Sequence, residues 1–176
     1  MNERRRHWLL AGVGATALIA GAGAAWLRLR TVTSEVPPGF FERAFDDVNG
    51  QPQSLANWRG QWLVLNFWAT WCAPCVEEMP TLQQVARDYA HRGVAVVGIG
   101  IDSAPAIRRF REDLKLDLPL LVAGAGGTDL ARQLGNPSGA LPYTVLLDPH
   151  GRIEQARLGL IKPELLRSWL DARIPG

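Results

Sequence analysis

The sequence predicts an α/β sandwich, with a central mixed β-sheet flanked by helices and an apolar helix at the N-terminus. Continuous apolar runs cover residues 62–68, 94–101 and 143–147. Such runs are typical of strands that are covered on both faces. Between the first two runs, apolar residues recur every three or four positions, which is the period of a helix packed on a sheet. A predicted hairpin and helix close the chain, and this order of elements gives a mixed sheet between helical layers.

The composition fits one globular domain with additional segments. The 176 residues are 47% hydrophobic and 20% charged, values that are ordinary for a folded domain and argue against disorder. Residues 1–30 hold five arginines and one glutamate, whereas residues 31–176 hold 14 basic and 16 acidic side chains. Because this larger part is nearly neutral and lacks a basic stripe interleaved with aromatic residues, nucleic acid is not expected as a partner.

Residues 1–30 are predicted to be a signal peptide or a signal anchor. Residues 8–27 contain no charged side chain, and a helix of that length spans about 30 Å, the thickness of a hydrocarbon core. The arginines at positions 4–6 should hold the N-terminus in the cytoplasm and send the rest of the chain outward. Small residues at positions 20–24 allow cleavage, and Arg5-Arg6 also permits twin-arginine export. Cleavage and retention both stay open, and we favour retention.

A linker over residues 31–38 is expected to lead into a single domain over residues 39–174. The first strand of this domain is predicted to be flanked by Phe40-Phe41 and by Phe45. Residues 46–50 are predicted to form a turn, because their Asn-Gly pair tolerates positive φ.

A short helical turn at residues 54–58 is predicted to precede the buried strand at 62–68. The helix after that strand is expected to bury Val76, Met79, Leu82, Ala86 and Tyr89. A second helix is expected over residues 104–114, after the strand at 94–101. Its inward residues are predicted to be Ile107, Phe110 and Leu114.

The end of the chain is predicted to be a hairpin and a helix. Residues 148–151 are typical of a tight turn, and they join the strand at 143–147 to a strand at 152–157. The last helix is expected at about residues 163–172, with a proline in its first turn.

The two cysteines, Cys72 and Cys75, stand where a buried strand is expected to end and a helix to begin. Free amides at a helix N-terminus stabilise an anion, so a thiol there should have a lowered pKa and react as a thiolate. Cys72 is the outer residue and the predicted nucleophile, whereas Cys75, one turn further in, would resolve the mixed disulfide. This arrangement predicts thiol–disulfide exchange.

Two other uses of the pair are disfavoured. A structural disulfide across four residues would add only about 2 kcal/mol of stability on the entropic account. A structural zinc site with two cysteines usually takes two histidines, and His91 and His150 are not spaced as a ligand set with the pair. No metal and no cofactor is therefore expected.

The sequence resembles the TlpA/ResA-like branch of the thioredoxin superfamily over about residues 39–172. The residues that match are Leu65–Cys75, Glu77–Pro80 and Gly139–Thr144. The resemblance implies a thioredoxin-like sandwich with an extra βα insertion at about residues 102–136, whose short strand would be residues 120–122.

The resemblance also implies roles for single residues. Pro142 would be a cis-proline facing the disulfide, Leu141 would offer its backbone to a bound substrate strand, and Trp71 would form the rim of this substrate-binding site. Glu78, one helical turn after Cys75, is a candidate proton relay, and a merely solvated glutamate is the alternative. Asn66 stands where thioredoxin has a buried aspartate, and this favours a proton role for Glu78 or for water.

The resemblance favours a reductase of disulfides in exported proteins, with apocytochrome c as one candidate substrate. Because the sequence has no third cysteine, electrons would come from outside, from a membrane thiol-transfer protein. The expected location is the periplasm, with residues 8–27 as an inner-membrane anchor if they are not cleaved. A disulfide-forming oxidase and a metal or haem chaperone using the same thiols remain the alternatives.

Overall fold

The computed structural model describes residues 35–174. The predicted signal segment at residues 1–30 and the first half of the predicted linker, residues 31–34, lie outside the described residues, so both stay predictions. Within residues 35–174, none of the helices combines the length and the apolar character needed to cross a membrane.

Seven strands and four α-helices make up the described part of the chain. The strands are β1 (Ala44–Asp47), β2 (Pro52–Ser54), β3 (Trp62–Trp68), β4 (Val94–Gly100), β5 (Leu120–Val122), β6 (Tyr143–Leu147) and β7 (Ile153–Leu158). The helices are α1 (Ala73–Tyr89), α2 (Ala104–Asp113), α3 (Gly124–Gln133) and α4 (Pro163–Asp171), with short 3₁₀ turns at Leu55–Trp58 and Ala90–Arg92.

The strands form one sheet in the order β2-β1-β5-β4-β3-β6-β7. β3, β4 and β5 are parallel, and α1 and α2 provide the crossovers that parallel neighbours require. Every other neighbouring pair is antiparallel. The predicted mixed sheet is confirmed, with β3 as an interior strand between β4 and β6.

Two apolar cores cover the faces of the sheet, and β3 contributes to both. Val64 and Trp68 belong to one core, and Leu63, Leu65 and Phe67 to the other, as the two-residue period of a strand requires. The first core also holds Met79, Leu82, Ile107, Leu166 and both cysteines. Burying each large apolar side chain contributes about 1.5–3 kcal/mol to the stability of the fold. The two cysteines therefore belong to a well-stabilised core.

Three details differ from the prediction. β1 begins only at Ala44 and includes Asp46, so the turn starts later, where Asp47 accepts a hydrogen bond from the backbone N–H of Asn49 at 2.8 Å. β2 is absent from the prediction because its short polar sequence has no apolar pattern. The prediction that Leu114 points inward is wrong: α2 has already ended, and this side chain is 41% exposed.

Candidate active site

The two cysteines lie at the start of α1, directly after the buried strand β3. Cys72 is the N-cap residue of α1, and its carbonyl accepts hydrogen bonds from the backbone N–H groups of Cys75 at 3.0 Å and Val76 at 3.1 Å. A disulfide joins the two residues, with their Cα atoms 5.3 Å apart. The predicted position of the pair, where a strand ends and a helix begins, is confirmed.

The two sulfur-bearing residues differ in exposure. Cys72 is 7% exposed, Cys75 is completely buried, and the neighbouring Trp71 is 69% exposed. A substrate approaching from solvent therefore meets Trp71 and Cys72 before it can meet Cys75. This order is what the predicted roles of nucleophile and resolving cysteine require.

A carboxylate from another element fixes the loop between β3 and Cys72. Asp102, which follows β4, accepts hydrogen bonds from the Thr70 backbone N–H at 3.2 Å and from the Thr70 hydroxyl. It also accepts one from the Ser103 backbone N–H at 2.6 Å. Partial burial would raise the pKa of Asp102, but these hydrogen bonds outweigh it and hold the pKa below its ordinary value. No local pattern in the sequence signals this contact.

Glu78, three positions after Cys75 on α1, is buried and only 2% exposed. Its Oε1 accepts a hydrogen bond from Nδ2 of Asn66 at 2.6 Å, and its Oε2 accepts one from the backbone N–H of Ile161 at 2.8 Å. Burial raises the pKa of Glu78; the two hydrogen bonds oppose this rise and the charge of Glu77 adds to it. The alternative of a solvated glutamate is therefore wrong for Glu78, although it holds for the exposed Glu77.

Thr144 on β6 completes this polar cluster. It lies opposite Asn66 in the sheet register, and its hydroxyl accepts a second hydrogen bond from Nδ2 of Asn66 at 3.0 Å. Both side chains are fully buried in an otherwise apolar region. Thr144 and Ile161 are absent from the predicted site, because nothing in the sequence shows that they reach Asn66 and Glu78.

The segment before β6 carries the predicted docking residues. The Leu141–Pro142 peptide bond is cis. Pro142 is buried and its carbonyl accepts a hydrogen bond from the backbone N–H of Gly159 at 2.8 Å. Leu141 is half-buried, and within residues 35–174 its backbone N–H and C=O have no hydrogen-bond partner. Their roles toward a substrate stay predictions.

No three His, Cys, Asp or Glu side chains are grouped as metal ligands in the described range 35–174. Asn66, Glu78 and Thr144 are called the polar cluster below.

Comparison with known proteins connects this geometry to a family. The AhpC/TSA family matches residues 35–156 of the chain. The thiol–disulfide oxidoreductase ResA of Geobacillus kaustophilus is 30% identical over 132 residues, which cover 73% of this chain and 72% of that protein. The thioredoxin-like protein YneN of Bacillus subtilis is 30% identical over 128 residues, which cover 70% of this chain and 72% of that protein.

A solved structure shares both the fold and part of the sequence. The DsbF homologue of Corynebacterium diphtheriae superposes with a TM-score of 0.66 at 28% identity, over 80% of this chain and 85% of that protein. The fold, the disulfide at the helix start and these relatives all point to the same family. The chain therefore belongs to the AhpC/TSA family, as a thioredoxin-like thiol–disulfide oxidoreductase.

Proposed function

We propose that this protein reduces disulfide bonds of exported proteins outside the cytoplasm, through a Cys72/Cys75 dithiol. The observation that carries the proposal is the unequal exposure of the two cysteines: Cys72, the N-cap residue of α1, is 7% exposed, and Cys75 is fully buried. A protein substrate is supported by Leu141, whose backbone groups have no partner within residues 35–174 and can pair with an extended chain as an edge strand does. Trp71, Leu141 and Pro142 form the proposed docking site.

The proposed reaction is a two-step exchange. The Cys72 thiolate attacks one substrate sulfur; an S–S bond forms between them, and the other substrate sulfur leaves as a thiolate that takes a proton from water. Cys75 then loses its proton and attacks Sγ of Cys72, releasing the second substrate sulfur as a thiolate. Two electrons have passed to the substrate, and the enzyme is left with the disulfide present in the structure.

Glu78 is the proposed acceptor of the Cys75 proton. It lies one helical turn after Cys75, and residues three apart are neighbours on a helix face. Its raised pKa favours proton uptake in a region where water is excluded. Asn66 cannot accept this proton as a carboxylate would, which leaves Glu78 as the ionisable member of the polar cluster.

Glu78→Gln is expected to stabilise the oxidised protein at neutral pH, and this gain should vanish in acid. Because the pKa of Glu78 is raised on folding, the folded state holds this proton more tightly than the unfolded chain. The free energy of unfolding of the wild type therefore falls as pH rises from 4.5, the ordinary glutamate pKa, through the raised folded pKa. Glutamine stays neutral, so the two proteins should diverge across this window in urea unfolding. Glu77→Gln, at the exposed neighbour, is the control, and an equal difference at every pH would contradict the expectation.

A redox titration, read by thiol alkylation and mass, tests the direction of the reaction. We expect a midpoint potential below about −200 mV, at which the dithiol is a net reductant in an oxidising compartment. A midpoint near about −120 mV, typical of strong oxidants, would instead assign disulfide formation. Copper, zinc or haem retained in stoichiometric amount by the purified reduced protein would assign a chaperone.

The proposed partners follow from the same chemistry. The two cysteines in the sequence are joined in one disulfide, so the electrons that reduce the pair again come from an external thiol, and we propose a membrane thiol-transfer protein as its source. Residues 8–27 would hold the enzyme at the inner membrane, facing the periplasm, if they are not cleaved. Apocytochrome c, which needs free thiols before haem attachment, is a proposed substrate.

A further inference from the structure

The side chain of Asn66 has hydrogen-bond partners on one side only. Its Nδ2 donates to Oε1 of Glu78 and to the hydroxyl of Thr144, at 2.6 and 3.0 Å. Its Oδ1 is buried and has no partner among the described residues. Buried side-chain oxygens rarely lack a partner. Because no described residue holds this oxygen, no hydrogen bond on that side has to break if the amide turns.

The two oxygens of Glu78 have unequal surroundings. Oε2 accepts from the backbone N–H of Ile161, which can only donate. A proton gained by Glu78 therefore belongs on Oε1, the oxygen that faces Asn66. There the new O–H would point at the N–H of Asn66, so that two donors would face each other across 2.6 Å without an acceptor.

We propose that Asn66 is a positioning residue that turns its amide by half a rotation when Glu78 gains a proton. After the turn, Oδ1 accepts from the protonated Oε1 and from the hydroxyl of Thr144, which changes from acceptor to donor. Nδ2 then takes the place that Oδ1 has left, where no described residue is its partner. No covalent bond between heavy atoms changes. The inference rests on the proposed function only for the source of the proton, which is Cys75 during exchange and water otherwise.

Apart from Glu77, the groups that face Glu78 are neutral, so the polar cluster is where its gain or loss of a proton is felt. Glu77, on the same helix, is the charged residue that acts on Glu78. From the other packed elements, β3 presents Asn66, β6 presents Thr144 and the segment before α4 presents the backbone N–H of Ile161. All three are neutral. An asparagine suits both states of Glu78, because its amide offers a donor to the carboxylate and an acceptor to the acid.

Side-chain amide NMR of the oxidised full-length wild type tests the proposal without a substitution. Above the pKa of Glu78, the amide protons of Asn66 should show nuclear Overhauser contacts to Thr144. Below it, these contacts should be lost, and the amide nitrogen shift should move with the same midpoint. Contacts that persist unchanged on both sides of the midpoint would overturn the proposal.

Variants separate this role from a structural one. Glu78→Gln imitates the protonated acid, so the contacts to Thr144 should be missing at every pH. Thr144→Ser keeps the hydroxyl and should retain the wild-type titration midpoint of Glu78, whereas Thr144→Val removes the hydroxyl and should shift this midpoint. Equal titration midpoints in the two variants would contradict the proposal. Exchange activity is measured separately. If the Asn66 amide of the wild type turns but the protein has no exchange activity, only the proposed function is refuted. If the wild type is active but its Asn66 amide does not turn, only this inference is refuted.

Discussion

Cys72→Ser is expected to lower the rate of disulfide exchange by at least about a thousandfold. A serine hydroxyl does not attack disulfides at neutral pH, and the remaining thiol, Cys75, is completely buried. Reduction of an insulin-type disulfide, followed by alkylation and mass, measures the effect.

The fold of this variant should survive, so the loss can be assigned to chemistry. Serine is a favoured N-cap residue, and Cys72 occupies the N-cap of α1. The missing four-residue disulfide costs about 2 kcal/mol at most on the entropic account, so the reduced wild type is the matched reference for stability. Exchange at the wild-type rate by a folded Cys72→Ser protein would remove this residue from the mechanism.

The fold and the redox pair can be predicted from the sequence because their signals are local. The apolar run of β3 and the three-to-four spacing of α1 each occupy one continuous stretch. Cys72 and Cys75 lie at the junction of these two stretches, so predicting the elements also places the pair. Leu114 is the instructive failure: its spacing matches the inward face of α2, but the helix ends one residue earlier.

The polar cluster cannot be predicted in the same way, because its contacts join distant parts of the chain. Asn66 and Thr144 are 78 positions apart, and Glu78 and the Ile161 N–H are 83 apart. The Thr70–Asp102 contact, outside the cluster, likewise spans 32 positions. Spacing along one helix places Glu78 near Cys75 but does not tell whether another element covers it. The loop before α4 provides this cover, and it turns an apparently solvated glutamate into a buried one.

Cys75→Ser should trap the substrate on the enzyme as a stable mixed disulfide. In the wild type, Cys75 stands one helical turn from Cys72, with Cα atoms 5.3 Å apart, and such intramolecular attack is favoured by effective molarities on the order of 10⁵ M or more. Without this thiol, release depends on thiols from solution. A disulfide-bonded peptide incubated with the reduced variant should give a covalent complex that survives at least about a thousand times longer than the wild-type intermediate. Non-reducing electrophoresis and intact mass measure the complex.

The two cysteine variants together decide the order of attack. Cys72 keeps 7% of its surface exposed and Cys75 none, so only Cys75→Ser should accumulate the complex, and the variant lacking both thiols should give none. If Cys72→Ser trapped the peptide instead, the roles would be reversed, and the buried cysteine would have to become exposed on reduction. If neither variant trapped it, the exchange would not pass through a mixed disulfide with this pair, and the burial of Cys75 would have no catalytic meaning.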